Sequence, residues 1–498
     1  MAHRFNRRYF FFGSLLAGAI PQGGFGSAPS LGRLGYKSPN GKLNIASIGA
    51  GGKASNDIDG CSDENIVALC DVDEQQAAKM FERYGRVPKY KDFRKMLDAE
   101  KSIDAVIVSI PDHMHATAAT WAMERGKHVY VQKPLVRTIW EARLMLETAN
   151  KYKVATQMGN QGYSNEGTRQ CAETIWSGEI GSVTEVHAWT NRPIWPQGLT
   201  AIPAADPVPA TLDWDLWLGI AGARPFTLGG KGYPNSFGNF YQPFNWRGFY
   251  DFGCGAVGDM ACHILGAANL ALGLGIPTSV ECIEKEGVSD FMYPRRSVIR
   301  YDFPARGDMP PVKLFWHDGC TATPEIAGVP KGELLGDLPA RPYHRPPDQP
   351  GPRYEHTGGV FTWEKFQARL ADPEVVPDKP NGSVFLGDKG ILTTGTYGED
   401  TRLIPVAKMR DYKFPPELLT RSPGHYHDWI RACKGGEPAC SNFNVAAPFV
   451  EWMLLGVIAL RVEGKIEYDP ATMRISNNEP ANQYLRPAVR QGWAMGAR

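Results

Sequence analysis

From residue 42 onward, two periods of apolar residues alternate along the chain. Short apolar runs recur at 43–48, 66–70, 105–109, 128–131 and 154–158, and helical segments lie between them. Runs this short and this continuously apolar suit strands covered on both faces. Strands alternating with helices predict a parallel, doubly wound α/β sheet over residues 42–157. Beyond it the pattern changes. An amphipathic helix is expected around 168–175. Residues 183–189 then alternate apolar and polar, as in a sheet with one covered face. Residues 304–380 are Pro-rich and weakly periodic, and read as an ordered insertion or lid. Strand-like spacing resumes at 385–390 and 391–393. Helices are expected near 425–434 and 446–462, and 481–498 reads as a closing segment. Residues 158–480 thus form a second domain.

A length of 498 residues suits two domains better than one core. With 43% apolar and 21% charged residues the chain is globular, not disordered. A formal net charge of +1, with no basic run past the N-terminus, argues against nucleic acid or an anionic membrane as the main partner. Nine cysteines without CxxC spacing speak against structural zinc or a full disulfide framework. The N-terminus has its own pattern. Asn6-Arg7-Arg8-Tyr9-Phe10 opens an apolar run to Ile20, and small residues follow to Ala28. Residues 1–28 therefore read as a twin-arginine export signal, and a periplasmic or otherwise exported location is expected. The run is too short and glycine-broken to span a bilayer.

The first strand runs into Gly49-Ala50-Gly51-Gly52-Lys53-Ala54, a G-x-G-x-x-A pattern. Glycines there permit a tight turn and let backbone approach a pyrophosphate at a helix N-terminus. Gly49, Gly51 and Gly52 are therefore candidate cofactor contacts. The second strand ends at Asp71, 20 residues past Gly51, at the spacing of a carboxylate that binds ribose hydroxyls. Such a carboxylate repels a 2′-phosphate, which favours NAD over NADP. Asp73 is the alternative ribose ligand, and a helix N-cap is the structural alternative for Asp71. Ligands in open α/β sheets sit beyond the carboxyl ends of the strands. Pro111, Asp112 and His115 leave one such end, and Gln132-Lys133-Pro134 leaves the next. His113-x-His115 lacks a nearby cysteine or acidic cluster, so cofactor or backbone contacts are expected there in place of a metal.

The run from Gly49 to Pro134 resembles the Gfo/Idh/MocA oxidoreductase family, which includes glucose–fructose oxidoreductase and inositol dehydrogenase. The family motif Glu-Lys-Pro here reads Gln132-Lys133-Pro134, which removes one negative charge next to Lys133. The resemblance implies an NAD-binding Rossmann domain in front and an α+β domain behind, with a large, open-faced, mainly antiparallel sheet used for substrate and oligomer contacts. It implies that the crossing between domains lines the nicotinamide pocket, which makes Asn160 and Gln161 cofactor candidates. It also implies a homo-oligomer, a dimer or tetramer, acting on a carbohydrate or polyol.

In the second half, Tyr163, Arg192, Trp195 and Arg247 are substrate candidates. Trp faces suit sugar rings, and a five-donor guanidinium suits vicinal hydroxyls. Packing of a loop-rich segment is the alternative for the aromatics, and pairing with Asp251 for Arg247. A glycine-rich stretch, Gly253-Cys254-Gly255, enters a helix where Asp259 and His263 stand four apart on one face. This resembles the family's D-x-x-x-H signature, whose aspartate and histidine join the lysine in the active site. The expected chemistry is alcohol oxidation by hydride transfer, with His263 as base, Lys133 stabilising the oxygen and Asp259 orienting the imidazole. A glycosidase that works by transient oxidation, and a non-catalytic sugar-binding Rossmann protein, are the alternatives.

Overall fold

The structure is a computed structural model and describes residues 41–339, 359–374 and 380–496. The expected signal, 1–28, lies outside the described residues, as does part of 304–380. Six strands form the first sheet: β1 (Asn44–Ile48), β2 (Asn65–Cys70), β3 (Lys89–Tyr90), β4 (Ala105–Val108), β5 (His128–Gln132) and β6 (Thr156–Gly159). Their order is β3-β2-β1-β4-β5-β6 and every neighbouring pair is parallel. All four residues of β4 are buried, as its unbroken apolar run requires. The two-residue β3 carries no apolar run and is held to β2 by its backbone, so periodicity does not reveal it. Helices α1 (Lys53–Gly60), α2 (Glu74–Arg83), α3 (Phe93–Ala99), α4 (His115–Met123) and α5 (Ile139–Tyr152) connect the strands. Thr138 and Glu141 form a capping box that starts α5 just past Pro134. The strand order reverses between β1 and β4, which opens a crevice at their carboxyl ends.

The second sheet is mixed. It contains β7 (Val183–Trp189), β8 (Ser279–Glu286), β9 (Arg296–Phe303), β10 (Val312–Asp318), β11 (Gly382–Gly387), β12 (Ile391–Thr394) and β13 (Arg402–Ile404), ordered β13-β12-β11-β7-β10-β9-β8. Only β7 and β10 run parallel. The insertion expected over 304–380 is corrected here: 312–318 is an interior strand. Val312, Leu314 and Trp316 point into the core, and the flanking prolines had masked that alternation. The helices of this domain are α6 (Glu166–Trp176), α7 (Trp214–Leu218), α8 (Gly266–Leu272), α9 (Trp363–Ala371), α10 (His425–Cys433) and α11 (Phe443–Ala459). No helix among the described residues is long and apolar enough to cross a membrane.

The two domains interlock. Residues 211–213 lie along the end of β2: Glu74 N donates to Thr211 O (3.0 Å) and Asp213 N to Val72 O (2.9 Å). The chain end bridges both domains: Trp493 stacks on Arg94 of the first at 4.4 Å, and Arg490 Nε donates to Gly219 O of the second (2.9 Å).

The glycine turn is packed tightly enough to test. A Cβ on Gly51 would lie 2.5 Å from the Gln76 carbonyl oxygen, which is backbone and cannot swing away. Gly51→Ala should therefore cost about 1–3 kcal/mol through overpacking. A melting temperature lower by several degrees is the expected reading.

Candidate active site

The crevice is lined first by the β1–α1 turn. Gly49 has φ of 93°, and a Cβ there would run into the Ser109 carbonyl. At Gly52, by contrast, an added Cβ would meet nothing within 4 Å. The helix start behind it has no side-chain cap. A bare backbone face at a helix N-terminus fits a pyrophosphate. Asp71 stands against this turn: Oδ2 accepts from Ala50 N (2.8 Å) and Gly51 N (3.2 Å), and Oδ1 from Asp73 N (3.0 Å). Burial raises its pKa, and these three amides oppose the rise. Asp73, the alternative ribose ligand, caps α2 through Gln75 N and Gln76 N.

Beyond β4, Pro111 and Asp112 enter a tight turn, and the two histidines face inward. His113 Nε2 meets Trp217 O (3.1 Å) and His115 Nε2 meets Ile110 O (2.7 Å). Burial lowers their pKa to about 3 and about 4, so both are neutral. His115 is fully buried. Its expected place as a cofactor contact is corrected to that of a backbone tie. Gln132 also points inward. Its Nε2 donates to Asp57 Oδ2 (2.8 Å), and Asp57 also accepts from Ser109 Oγ (2.6 Å), Tyr426 OH (2.7 Å) and Lys53. A glutamate at 132 would set two carboxylates against each other there.

The catalytic candidates gather at the ends of β5 and β6. Lys133 Nζ donates to Asp259 Oδ1 (2.7 Å) and to the Asp259 carbonyl (2.5 Å). Arg247 Nε donates to the same Oδ1 (3.2 Å), and Arg192 Nε stands 3.7 Å from Oδ2. These cations hold the Asp259 carboxyl well below the usual range against the opposing effect of burial. Asp259 lies in a π turn, Val257–Ala261, followed by the short turn Cys262–Ile264. The wider turn changes the α-helical i,i+4 relation assumed for Asp259 and His263. The orienting partner of the imidazole is Asn160, whose Oδ1 lies 3.1 Å from His263 Nδ1. Asn160 Nδ2 donates to Cys262 O (2.5 Å), which fixes the amide's orientation. Nδ1 of His263 therefore carries the hydrogen, and Nε2 is left as the acceptor. Tyr397, which sequence reading missed, packs on this ring at 4.6 Å between centroids. Its carbonyl accepts from Thr168 Oγ1 (3.2 Å). No motif in its neighbourhood would have found it.

Of the substrate candidates, Arg192 and Arg247 join this cluster, and Arg224 takes Asp251 in place of Arg247. Tyr163 and Trp195 do not join it. Both are buried, Tyr163 OH accepting from Asn269 (2.8 Å) and Trp195 Nε1 donating to Gln197 (3.0 Å). Their expected place as substrate platforms is corrected to core packing. Trp214, Trp217, Phe240 and Tyr241 likewise form one buried cluster. Gln161 sits half-buried on the turn after β6.

Comparison with known proteins agrees with the fold. Residues 43–160 match the Gfo/Idh/MocA model, described as an oxidoreductase family with an NAD-binding Rossmann fold. The chain is 30% identical over 124 residues to inositol 2-dehydrogenase of Salmonella typhimurium, covering 24% of this chain and 37% of that protein. It is 34% identical over 161 residues to D-glucoside 3-dehydrogenase of Escherichia coli, covering 30% and 43%. The chain thus spans well under half the length of these curated relatives. In fold, the WlbA dehydrogenase of Bordetella pertussis, solved with NADH and UDP-GlcNAcA, superposes with a TM-score of 0.54 at 14% identity, covering 86% of this chain and 99% of that one.

Asp112 provides a pH test. Burial pushes its pKa from 3.8 to about 7, while Arg247 and Lys133 oppose the rise. The folded protein therefore retains a proton between roughly pH 4 and 7 that the unfolded chain has released, so stability falls as pH rises through that window. Asp112→Asn should remove this contribution. The drop in melting temperature from pH 5 to pH 8 should be smaller in the variant; an equal drop would place the titration elsewhere.

Proposed function

We propose, from the match of residues 43–160 to the Gfo/Idh/MocA oxidoreductase model, that this chain is an NAD-dependent oxidoreductase of that kind, acting on a hydroxyl of a sugar or polyol. The observation that carries the reading is the convergence of Lys133, Asp259 and an Asn160-oriented His263 at the crevice end of β5 and β6. When bound along the glycine turn, the dinucleotide supplies the hydride acceptor. His263 Nε2 takes the hydroxyl proton, with Asn160 holding the tautomer in which Nε2 is the acceptor. The Lys133 ammonium, anchored on Asp259, stabilises the substrate oxygen as charge develops. Asp71 is assigned to the ribose hydroxyls and disfavours NADP.

The proposal extends to cofactor retention and export. Two loops of the nucleotide crevice are tied to the second domain: the β2 end by residues 211–213, and the β4 end by the His113–Trp217 contact. Such ties favour a cofactor kept through turnover, so that each cycle restores its oxidation state. A twin-arginine signal, with folding and loading before export, is consistent with this.

Two measurements test the reading. Lys133→Ala or His263→Ala should lower turnover at least about a hundredfold, the lower range for a positioned proton-transfer group. NAD binding should survive the His263 change. Near-normal turnover in either variant refutes the mechanism. Denaturing protein purified without added nucleotide should release close to one NAD(H) per chain; an empty, freely exchanging site restores an ordinary dehydrogenase. Release of aglycone from aryl glycosides without net NADH would mark the glycosidase outcome.

A further inference from the structure

The charge around Asp259 is unbalanced. Lys133, Arg192 and Arg247 all converge on this one carboxylate, and their side chains retain only 17%, 19% and 17% exposure. Asp112, the next acid, is half neutral near pH 7. Asp337 and Glu399 lie on or against the loop that carries Tyr397, and Glu399 is pushed up to about 8 by burial and by Asp337. Cations left in a half-desolvated pocket without counter-charge are costly.

The guanidinium groups also have unused donors. Arg192 Nε is buried without a hydrogen-bond partner. Its Nη1 is taken by Asn191 Oδ1 (2.5 Å), and among the described residues its Nη2 has no acceptor. Arg247 is held rigidly: its Cζ lies 3.8 Å from the Phe244 ring centroid and 4.3 Å from that of Trp246, and Nη1 donates to Phe244 O (3.2 Å). Its Nη2 has no acceptor among the described residues either. Two guanidinium groups with spare donors thus meet at one carboxylate, Asp259, on the turn that leads into His263. A planar fork of donors matches a carboxylate or phosphate better than it matches a hydroxyl.

We propose that the substrate is a sugar or polyol bearing an oxyanion, carboxylate or phosphate, and that Arg192 and Arg247 are its counter-charges. This rests on the oxidoreductase reading above and narrows its substrate class. Arg192 then decides specificity, while Lys133 and His263 serve the reacting hydroxyl. Screening by salt follows, since the pair is only partly buried.

The test uses the full chain with its cofactor. Glucuronate and galacturonate, glucose 6-phosphate, and neutral glucose and galactose are compared by calorimetric binding and by kcat/KM. At least one acidic sugar should exceed its neutral counterpart by about tenfold or more, the lower range for a charge-assisted hydrogen bond. Added salt should reduce that ratio. Arg192→Gln should lower the acid-to-neutral ratio about tenfold, and Arg192→Lys, which keeps the charge and loses the planar fork, should keep only part of it. If Arg192→Gln does not fold, the same ratio is read from Arg247→Gln. A winning uronate names the carboxylate, and a winning glucose 6-phosphate names the ester. Neutral sugars bound as well as acids, no acid bound at all, or a ratio unchanged in the folded variant each overturn the proposal. Failure of the broader reading looks different: acidic sugars would bind with Arg192-dependent preference, yet no sugar would be oxidised.

Discussion

One buried carboxylate organises this site. Asp259 accepts from Lys133 at the end of β5, from Arg247 ahead of the glycine-rich entry, and faces Arg192 past the end of β7. These groups come from three separate parts of the chain and from both domains. Removing one member of such a cluster strands the others, at a cost of about 3–5 kcal/mol for a buried pair. The π turn that carries Asp259 places both its carboxylate and its carbonyl on Lys133. A lysine fixed by two acceptors is aimed before any substrate arrives, which is the preorganisation that electrostatic catalysis needs.

A second buried carboxylate explains the departure at residue 132. Asp57 on α1 collects donors from Gln132, Ser109, Tyr426 and Lys53. Gln132 keeps the shape of a glutamate and supplies a donor where a glutamate would supply a second negative charge. The same network joins the glycine-turn helix to β4, β5 and α10. The floor of the nucleotide crevice and the second domain are therefore one hydrogen-bonded unit, and a change at Asp57 is felt at the strand that ends in Lys133.

The aromatic segment between β7 and the π turn has a different purpose from the one its composition suggests. Trp214 and Trp217 stack at 4.7 Å within a buried cluster, and their helix covers the turn after β4. Trp246 of this cluster, together with Phe244, holds the Arg247 guanidinium. Aromatic area is spent on packing, and the polar contacts at the site are left to the arginines.

Local pattern determined a good deal on its own. The apolar runs of five long strands gave the parallel sheet, because strands buried on both faces leave no choice of residue type. Gly49 and Gly51 were legible because a turn with positive φ or a backbone contact excludes a side chain. Lys133, Asp259 and His263 stood out because charged or polar residues follow strands or glycines where packing does not call for them. What each of them touches was decided only in three dimensions. Asn160, not Asp259, orients His263 across 103 residues, and Lys133 meets Asp259 across 126. Tyr397 reaches the imidazole from the far sheet, and Tyr163, Trp195 and His115 turn inward. Strand β10 hid among its flanking prolines, and its interior place is set by packing between β9, just before it in the chain, and β7, more than a hundred residues earlier. Periodicity reports which face of an element is buried; the partner of a polar group is set by which distant element packs against it, and that is a property of the folded chain alone.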